Sequence, residues 1–543
     1  MDIRIIIGGQ AGQGIDFAAD TLSKAFIKEG YYVFNYRYYQ SLIKGGHNYN
    51  AIRVSDEKIN SHEEKNIDFI IALDQNTVNI HKNKLKEDGY IIADKKIISD
   101  RKIEVPASEI IKEVGGKPLD ENIVLIIALW KILGFNKDSI INVLKEKLGE
   151  IVEKYAEKIY NTNLNVIKNL KSLEKNPRYY LSGSEGVALG AIAAGLDIYL
   201  AYPMTPASPV LHILASLKDK YNILVYQPDN EIGVINIALG ASYAGAKVMI
   251  GSSGGGIDLM AEAISFSGIS EIPIVIYWAQ RYGPGTGMAT HTSQADLLTA
   301  LHIGHGEFPR FVIAPGDPAD AFYRTIEAFY FAYKYRIPAI ILSDLFLAES
   351  KSTFDQIEYP DVPVDRFIDL NPLENYKNYP LVDTEVRRAI PGFKAIVKSS
   401  SYEHDEFGLE TEDPEIGQKM SEKRLRKIER IYEESKMFRP YEIYGKGNKL
   451  IVSWGSNKMP ILDLINYTKE WKYLHIYQLY PFLTDIRDIL EDAKKVVLVE
   501  NNLTGQLGKI IMKEIGFYIE DKILKHNGEP FTASELYEKV KYI

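Results

Sequence analysis

Short apolar runs alternate with stretches of helical spacing along most of the chain, and three regions carry the pattern. In the first, Ile3–Gly9 reads as a buried strand. A glycine turn follows, and then the helical IDFAADTLSKAFIKEG. Further strands are predicted at YYVFNYR, DFIIALD and GYIIADK. From about residue 122 to 174 the pattern is helical and ends in a Lys/Glu-rich stretch, with a boundary at Asn176-Pro177. The second region, 180–350, is rich in glycine and alanine. Its strands DIYLA, NILVYQ, PIVIYWAQ and PAIILSD alternate with helical segments such as EGVALGAIAAG, which predicts a doubly wound parallel sheet. In 351–385, Pro360, Pro363, Pro372 and Pro380 interrupt any periodicity, as in a long crossing segment or linker. SEKRLRKIERIYEESK reads as a helix with a solvated, charge-laced face. The third region, 448–543, alternates again: KLIVSWGS, MPILDLINYTKE, KYLHIYQL, KKVVLVENN, GQLGKIIMKEIG.

The expected fold class is therefore α/β, with α/β domains at 1–175, 180–350 and 446–543 and a connecting segment at 351–445. A length of 543 residues, 46% of them hydrophobic and 25% charged, accommodates this; at roughly 150 residues per domain it allows three or four. The net charge of −9 and the lack of a basic stripe argue against nucleic acid as a partner. No apolar stretch approaches the roughly 18 residues of a membrane span. The opening residues run straight into a strand, so no signal peptide and a cytoplasmic location are expected. There is no cysteine, so no Cys-ligated iron–sulfur cluster can belong to this chain.

Four places carry candidate chemistry. Gly8–Gly14 has the spacing GGxxGxG, not the dinucleotide GxGxxG. Gly12 and Gly14 sit either in a structural turn or in an anion site at a helix N-terminus, with Lys44 in a second such turn. Tyr202-Pro203-Met204-Thr205-Pro206 lies at the carboxyl end of a strand, where open α/β sheets place ligands. Glu231 opens an apolar helix, where it is either the N-terminal cap or a carboxylate held against a ligand nitrogen. Arg281 ends an apolar strand and enters Gly283-Pro284-Gly285-Thr286-Gly287, placed to grip a carboxylate or pair with a surface acid. Glu403-His404-Asp405-Glu406 reads as a polar loop, and no residue set is assigned to a metal. GSSGGG lacks the GK[ST] of a Walker loop, and no GDG…N pattern for metal–diphosphate binding occurs.

In this order, GGQAGQGI, SGSEGVALGAIAAG, AYPMTPAS, DNEIGVINIALGASYAGAK, the Ser252–Met260 loop, RYGPGTGMAT, RRAIPGF and VENNLTGQLGKI resemble the 2-oxoacid:ferredoxin oxidoreductases. The likeness is to the large alpha subunit with a γ-type domain fused ahead of a pyrimidine-type thiamine diphosphate domain and a transketolase C-terminal-like domain. It implies oxidative decarboxylation of a 2-oxo acid (pyruvate, 2-oxoglutarate or a branched-chain acid) to acyl-CoA and CO₂, with reduction of ferredoxin. Thiamine diphosphate would be shared with a beta subunit that holds Mg²⁺ and a [4Fe–4S] cluster, in an alpha–beta heterodimer or its dimer. Coenzyme A is the co-substrate, and Gly12, Gly14 and Lys44 are positions that could face it. The resemblance assigns Glu231 to the aminopyrimidine N1′, Tyr202 and Pro203 to the cofactor, and Thr205, Arg281 and Thr290 to the substrate carboxylate. Met204 is a mild departure from the family's usual residues; the loop Ser252–Gly256, where Gly255 stands in place of a proline, with Asp258, Gly285 and His291, departs further and bears on substrate preference. A non-catalytic paralogue, or another thiamine-dependent subunit of transketolase or E1 type, is the alternative.

Overall fold

A computed structural model describes the chain except residues 41–45, 177, 357, 358, 360, 383, 384 and 386. Lys44, Pro177 and Pro360 therefore lie outside the described residues. The chain forms two compact units. The first is 1–181 with 349–356 and 532–538; the second is 182–348 with 357–531 and 539–543.

The first unit is built on an eight-stranded mixed sheet. Asp2–Gln10 lies at its centre, parallel to Ile67–Ala72 and antiparallel to His47–Ser55. Alternation along the central strand decides its faces. Ile3, Ile5 and Ile7 pack into one core with the helices Ile15–Lys28 and Glu121–Ile132, while Ile6 packs into the other. Ser350–Phe354 returns from far along the chain to pair with Tyr32–Tyr38. Ser534 donates to Glu63 from its backbone at 3.0 Å and its hydroxyl at 2.6 Å, which adds a C-terminal segment to the same unit. Neither return is visible as periodicity, since each contributes only a few residues.

The second unit holds two sheets. The seven-stranded sheet runs Gln478–Tyr480, Phe311–Ile313, Pro338–Asp344, Ile274–Gln280, Val248–Ser252, Ile198–Leu200, Leu224–Tyr226 and is parallel apart from its first strand. Both of its faces are buried. Ile274, Ile276 and Trp278 point into one core, and Val275, Tyr277 and Ala279 into the other, as a doubly wound sheet requires. The five-stranded sheet, with Lys449–Trp454 at its middle, shares the first of these cores: Leu450, Val452, Trp454 and Leu498 belong to the same cluster as Ile276. A shared core makes one compact unit of two sheets.

Two connecting regions differ from expectation. The proline-interrupted segment is packed, not a free linker. Tyr379 is 1% exposed, packs its ring at a tilt on His404 with centroids 4.0 Å apart and donates to the Ser270 carbonyl at 3.1 Å. The charged helix Pro414–Ser435 is not solvated all round. Lys423 and Lys427 are buried and reach Glu271 at 2.5 and 2.6 Å. Burial works against charge on Glu271, but the two ammonium groups and Arg336 outweigh it and hold the carboxyl well below its usual range. No helix among the described residues is long and apolar enough to cross a membrane.

Candidate active site

Glu231 is the first residue of the helix Glu231–Tyr243, but it is not the cap. Asn230 fills that role, its side chain accepting from Gly233 N at 2.8 Å. Glu231 is thus released from the structural task that the sequence allowed it. It is 5% exposed, lies at the positive end of the helix dipole and makes no ion pair among the described residues.

The glycine turn after Val248–Ser252 comes down against this carboxylate. A Cβ on Gly256 would stand 2.8 Å from Glu231 Oε1 and 2.1 Å from Ser252 Oγ, so any larger residue must displace both side chains. Ser252 Oγ lies 3.9 Å from Met204 Sδ, which brings the Tyr202–Pro206 loop to the same place. The hydroxyl of Ser253 is buried and has no hydrogen-bond partner. An orphaned buried hydroxyl costs about 1–3 kcal/mol unless a ligand or water satisfies it.

Arg281 follows the strand Ile274–Gln280 directly, and its Nη1 donates to the Thr205 carbonyl at 2.9 Å. This joins two segments that the sequence kept 76 residues apart. An arginine pinned at one corner keeps its planar fork in one orientation. Thr205 is half-buried, and Tyr202 is 39% exposed at the rim. Pro203 is exposed beside it. Thr290 lies on the loop that Arg281 opens, half-buried, and forms no hydrogen bond with Arg281 or Thr205 among the described residues.

Asp296 is a residue that motif reading missed. Its Oδ2 accepts from Trp278 Nε1 at 3.2 Å and would lie 3.0 Å from a Cβ on Gly254. Burial pushes its carboxyl up to about 6, Asp258 adds to the rise, and the Trp278 hydrogen bond and Arg281 oppose it. The turn 254–256 is thereby flanked by two carboxyl groups, Asp296 at Gly254 and Glu231 at Gly256. The only sequence signal was an acidic residue before the short helix Leu297–His302, a place usually taken by a cap.

In the first unit, Gly14 caps the helix Ile15–Lys28 with φ 71°, and a Cβ there would meet Asn122 Nδ2 at 2.2 Å. Gly12, φ 91°, faces open space. The run at 403–406 is not the solvated loop that its polarity suggests: Glu403 takes Arg424 in a two-pronged pair, and His404 is 1% exposed beneath the Tyr379 ring.

Comparison with known proteins bears on what this arrangement serves. The family model described as pyruvate flavodoxin/ferredoxin oxidoreductase, thiamine diP-bdg, matches residues 189–423, and the pyruvate ferredoxin/flavodoxin oxidoreductase model matches 4–169. A 2-oxoacid:ferredoxin oxidoreductase subunit alpha from a Sulfolobus species is 31% identical, over 99% of this chain and 96% of its own length. The chain belongs to the 2-oxoacid:ferredoxin oxidoreductase family. A 2-oxoglutarate synthase subunit KorA from Archaeoglobus fulgidus is 32% identical over 61% of this chain and 89% of its own. The solved 2-oxoglutarate:ferredoxin oxidoreductase from Magnetococcus marinus, with 2-oxoglutarate, coenzyme A and succinyl-CoA bound, superposes with a TM-score of 0.88. It is 27% identical and covers 100% of this chain and 99% of its own.

As a member of this oxidoreductase family, the chain carries a thiamine diphosphate-binding domain, and Glu231, Thr205, Arg281 and Thr290 all fall within the matched span. The residues present fit an aminopyrimidine. A buried carboxylate with no ion pair and an orphaned hydroxyl are polar groups that a flat polar ring can satisfy, and Gly255 between them has open space beside it.

Proposed function

We propose that this chain is the alpha subunit of a cytoplasmic, CoA-dependent 2-oxoacid:ferredoxin oxidoreductase. It would convert a 2-oxo acid to acyl-CoA and CO₂ and pass the electrons to ferredoxin. The observation that carries the reading is Glu231, buried beside the Gly256 cradle and relieved of capping by Asn230. When bound, thiamine diphosphate supplies the electron sink that a 2-oxo acid lacks, so that CO₂ can leave. Glu231 holds a proton against the ring nitrogen N1′ of the aminopyrimidine, a general acid–base role. Arg281 anchors the substrate carboxylate by its guanidinium fork, and Thr205 and Thr290 orient it with neutral hydroxyls.

A partner must complete the site. The chain has no cysteine for a cluster and no GDG…N segment for a metal–diphosphate site. We assign Mg²⁺ and the [4Fe–4S] cluster to a beta subunit. Beside Glu231, the same helix turns Ile232 and Ile237 to solvent, 53% and 45% exposed, and Leu259 after the glycine turn is 53% exposed. Apolar surface of this kind next to half a cofactor site supports a subunit docking there.

The test is anaerobic reduction of a viologen dye by the chain assembled with its cluster-bearing partner. The assay supplies thiamine diphosphate, Mg²⁺, coenzyme A and a panel of 2-oxo acids, with 2-oxoglutarate and pyruvate first. CoA-dependent reduction is expected. No reduction with any acid, from a complex that holds its cluster and cofactor, would leave a non-catalytic paralogue as the better reading.

A further inference from the structure

The loop that follows Arg281 has little to hold it from within. Pro284, Gly285, Thr286 and Gly287 are exposed. Its closure is made of backbone: Tyr282 N donates to His291 O at 2.9 Å, Met288 N to Tyr282 O at 3.1 Å and His291 N to Met288 O at 3.0 Å. Ordering a glycine-rich loop costs about 1–2 kcal/mol per residue, and one without packed side chains cannot recover that alone.

The missing support comes from a turn just after the strand Asp521–Leu524 of the five-stranded sheet. The His526 ring stacks on Tyr282 with centroids 4.3 Å apart and planes 15° from parallel. Its Nδ1 lies 3.4 Å from Ser293 Oγ. Gly528 O accepts from Thr292 N at 3.0 Å, and Glu529 Oε1 lies 3.6 Å from His291 Nδ1. Gly528 has φ 86°, and a Cβ there would meet Met288 Cε at 2.7 Å and His291 Cβ at 2.8 Å, so this backbone sits directly on the loop. Residues 526–529 thus touch Tyr282, Met288, His291, Thr292 and Ser293, both ends of the loop.

We propose that His526 is a positioning residue for substrate binding: by stacking on Tyr282 it fixes the start of the loop, and with it the backbone from which Arg281 projects. The substrate part of this inference rests on the proposed role of Arg281; the ordering of the loop does not. Burial lowers the pKa of His526, which suits a neutral ring lying flat on a phenol. No proton transfer is assigned to it.

Two measurements test the proposal, both on the full chain assembled with its partner subunit. The first compares His526→Ala with His526→Phe, which keeps a flat ring. His526→Ala should raise KM for the 2-oxo acid about fivefold, the equivalent of about 1 kcal/mol of lost stacking. kcat and the thiamine diphosphate requirement should stay within about twofold, and His526→Phe should restore KM. An unchanged KM in His526→Ala, or an equal rise in His526→Phe, overturns the proposal. The second is amide hydrogen exchange of the peptide spanning 282–292, which needs no activity. His526→Ala should speed exchange at Tyr282, Met288 and His291 about fivefold, and His526→Phe should not. Equal protection in all three proteins overturns the ordering role. An inactive wild-type complex with the exchange result intact would overturn the functional reading and leave the loop device standing.

Discussion

Two glycine-rich segments at the carboxyl ends of strands, Gly8–Gly14 in the first unit and the short helix Gly254–Asp258 in the second, have different surroundings. In the turn before Ile15–Lys28 most polar groups bond within the chain, although Asn122 Oδ1 is buried without a partner. Gln13 Oε1 takes Gln10 N at 2.6 Å, and Asn122 Nδ2 donates to the carbonyls of Gln13 and Gly14 at 2.8 and 3.0 Å. In the turn after Val248–Ser252, Ser253 Oγ is left without a partner and Glu231 without an ion pair, while Asp296 closes the other side. Glycine spacing alone does not separate these cases. What separates them is the pair of buried carboxyl groups, Asp296 and Glu231, that stand against Gly254 and Gly256 in the second; the first has an amide, Asn122, in that place.

The strongest way to break the comparison is at Glu231. Glu231→Gln keeps the shape and removes the acid, and turnover of the assembled enzyme should fall about 10²-fold or more. A variant of near-normal activity would remove the acid–base role from Glu231. Next comes the cradle. Gly256→Ala pushes a methyl group toward Ser252 and Glu231 and should raise the thiamine diphosphate requirement about tenfold, by titration of activity against cofactor. Gly14→Ala is the matched substitution in the first unit. Its φ of 71° and the clash with Asn122 should cost about 1–3 kcal/mol of stability, seen as a lower Tm, with the thiamine diphosphate requirement unchanged. An effect on cofactor affinity there would erase the contrast.

The last test concerns Asp296 and reads stability against pH, not turnover. Its folded-state pKa is raised from 3.8 to about 6, so the folded protein holds this proton more tightly than the unfolded chain does. That contribution is complete below about 3.8 and is lost as pH rises through about 6. Asp296→Asn cannot ionise. Its stability relative to the native chain should therefore climb between pH 4 and pH 7 by up to roughly 3 kcal/mol and then level off, in denaturant titrations at each pH. A constant difference across that range would show that Asp296 ionises freely beside the turn.

Much of this was legible along the chain, because burial imposes period. Strands buried on both faces, such as Ile274–Gln280, read as unbroken apolar runs, and the helices between them show their own spacing. The positions of Glu231, Thr205 and Arg281 at strand and helix ends were legible for the same reason. The helix Pro414–Ser435 misled: interleaved charge reads as solvated surface, and nothing local reveals that Glu271, more than 150 residues earlier, will draw Lys423 and Lys427 inside. The strand Ser350–Phe354 and the contact of Ser534 with Glu63 were hidden because long-range pairing leaves no local period.

By itself, the sequence determined the α/β character, the order of the motifs, the family resemblance and the absence of any cysteine to hold a cluster. Those properties are local, carried by periodicity, spacing and residue type. Tertiary structure alone decided that two of the three α/β regions share one core, and that Asn230 and not Glu231 caps its helix. It also decided that Arg281 is pinned to Thr205, that Asp296 faces the glycine turn and that His526 lies on Tyr282. Each of these is a contact between side chains and backbone brought together by packing, and a linear pattern does not contain the distances on which such contacts depend.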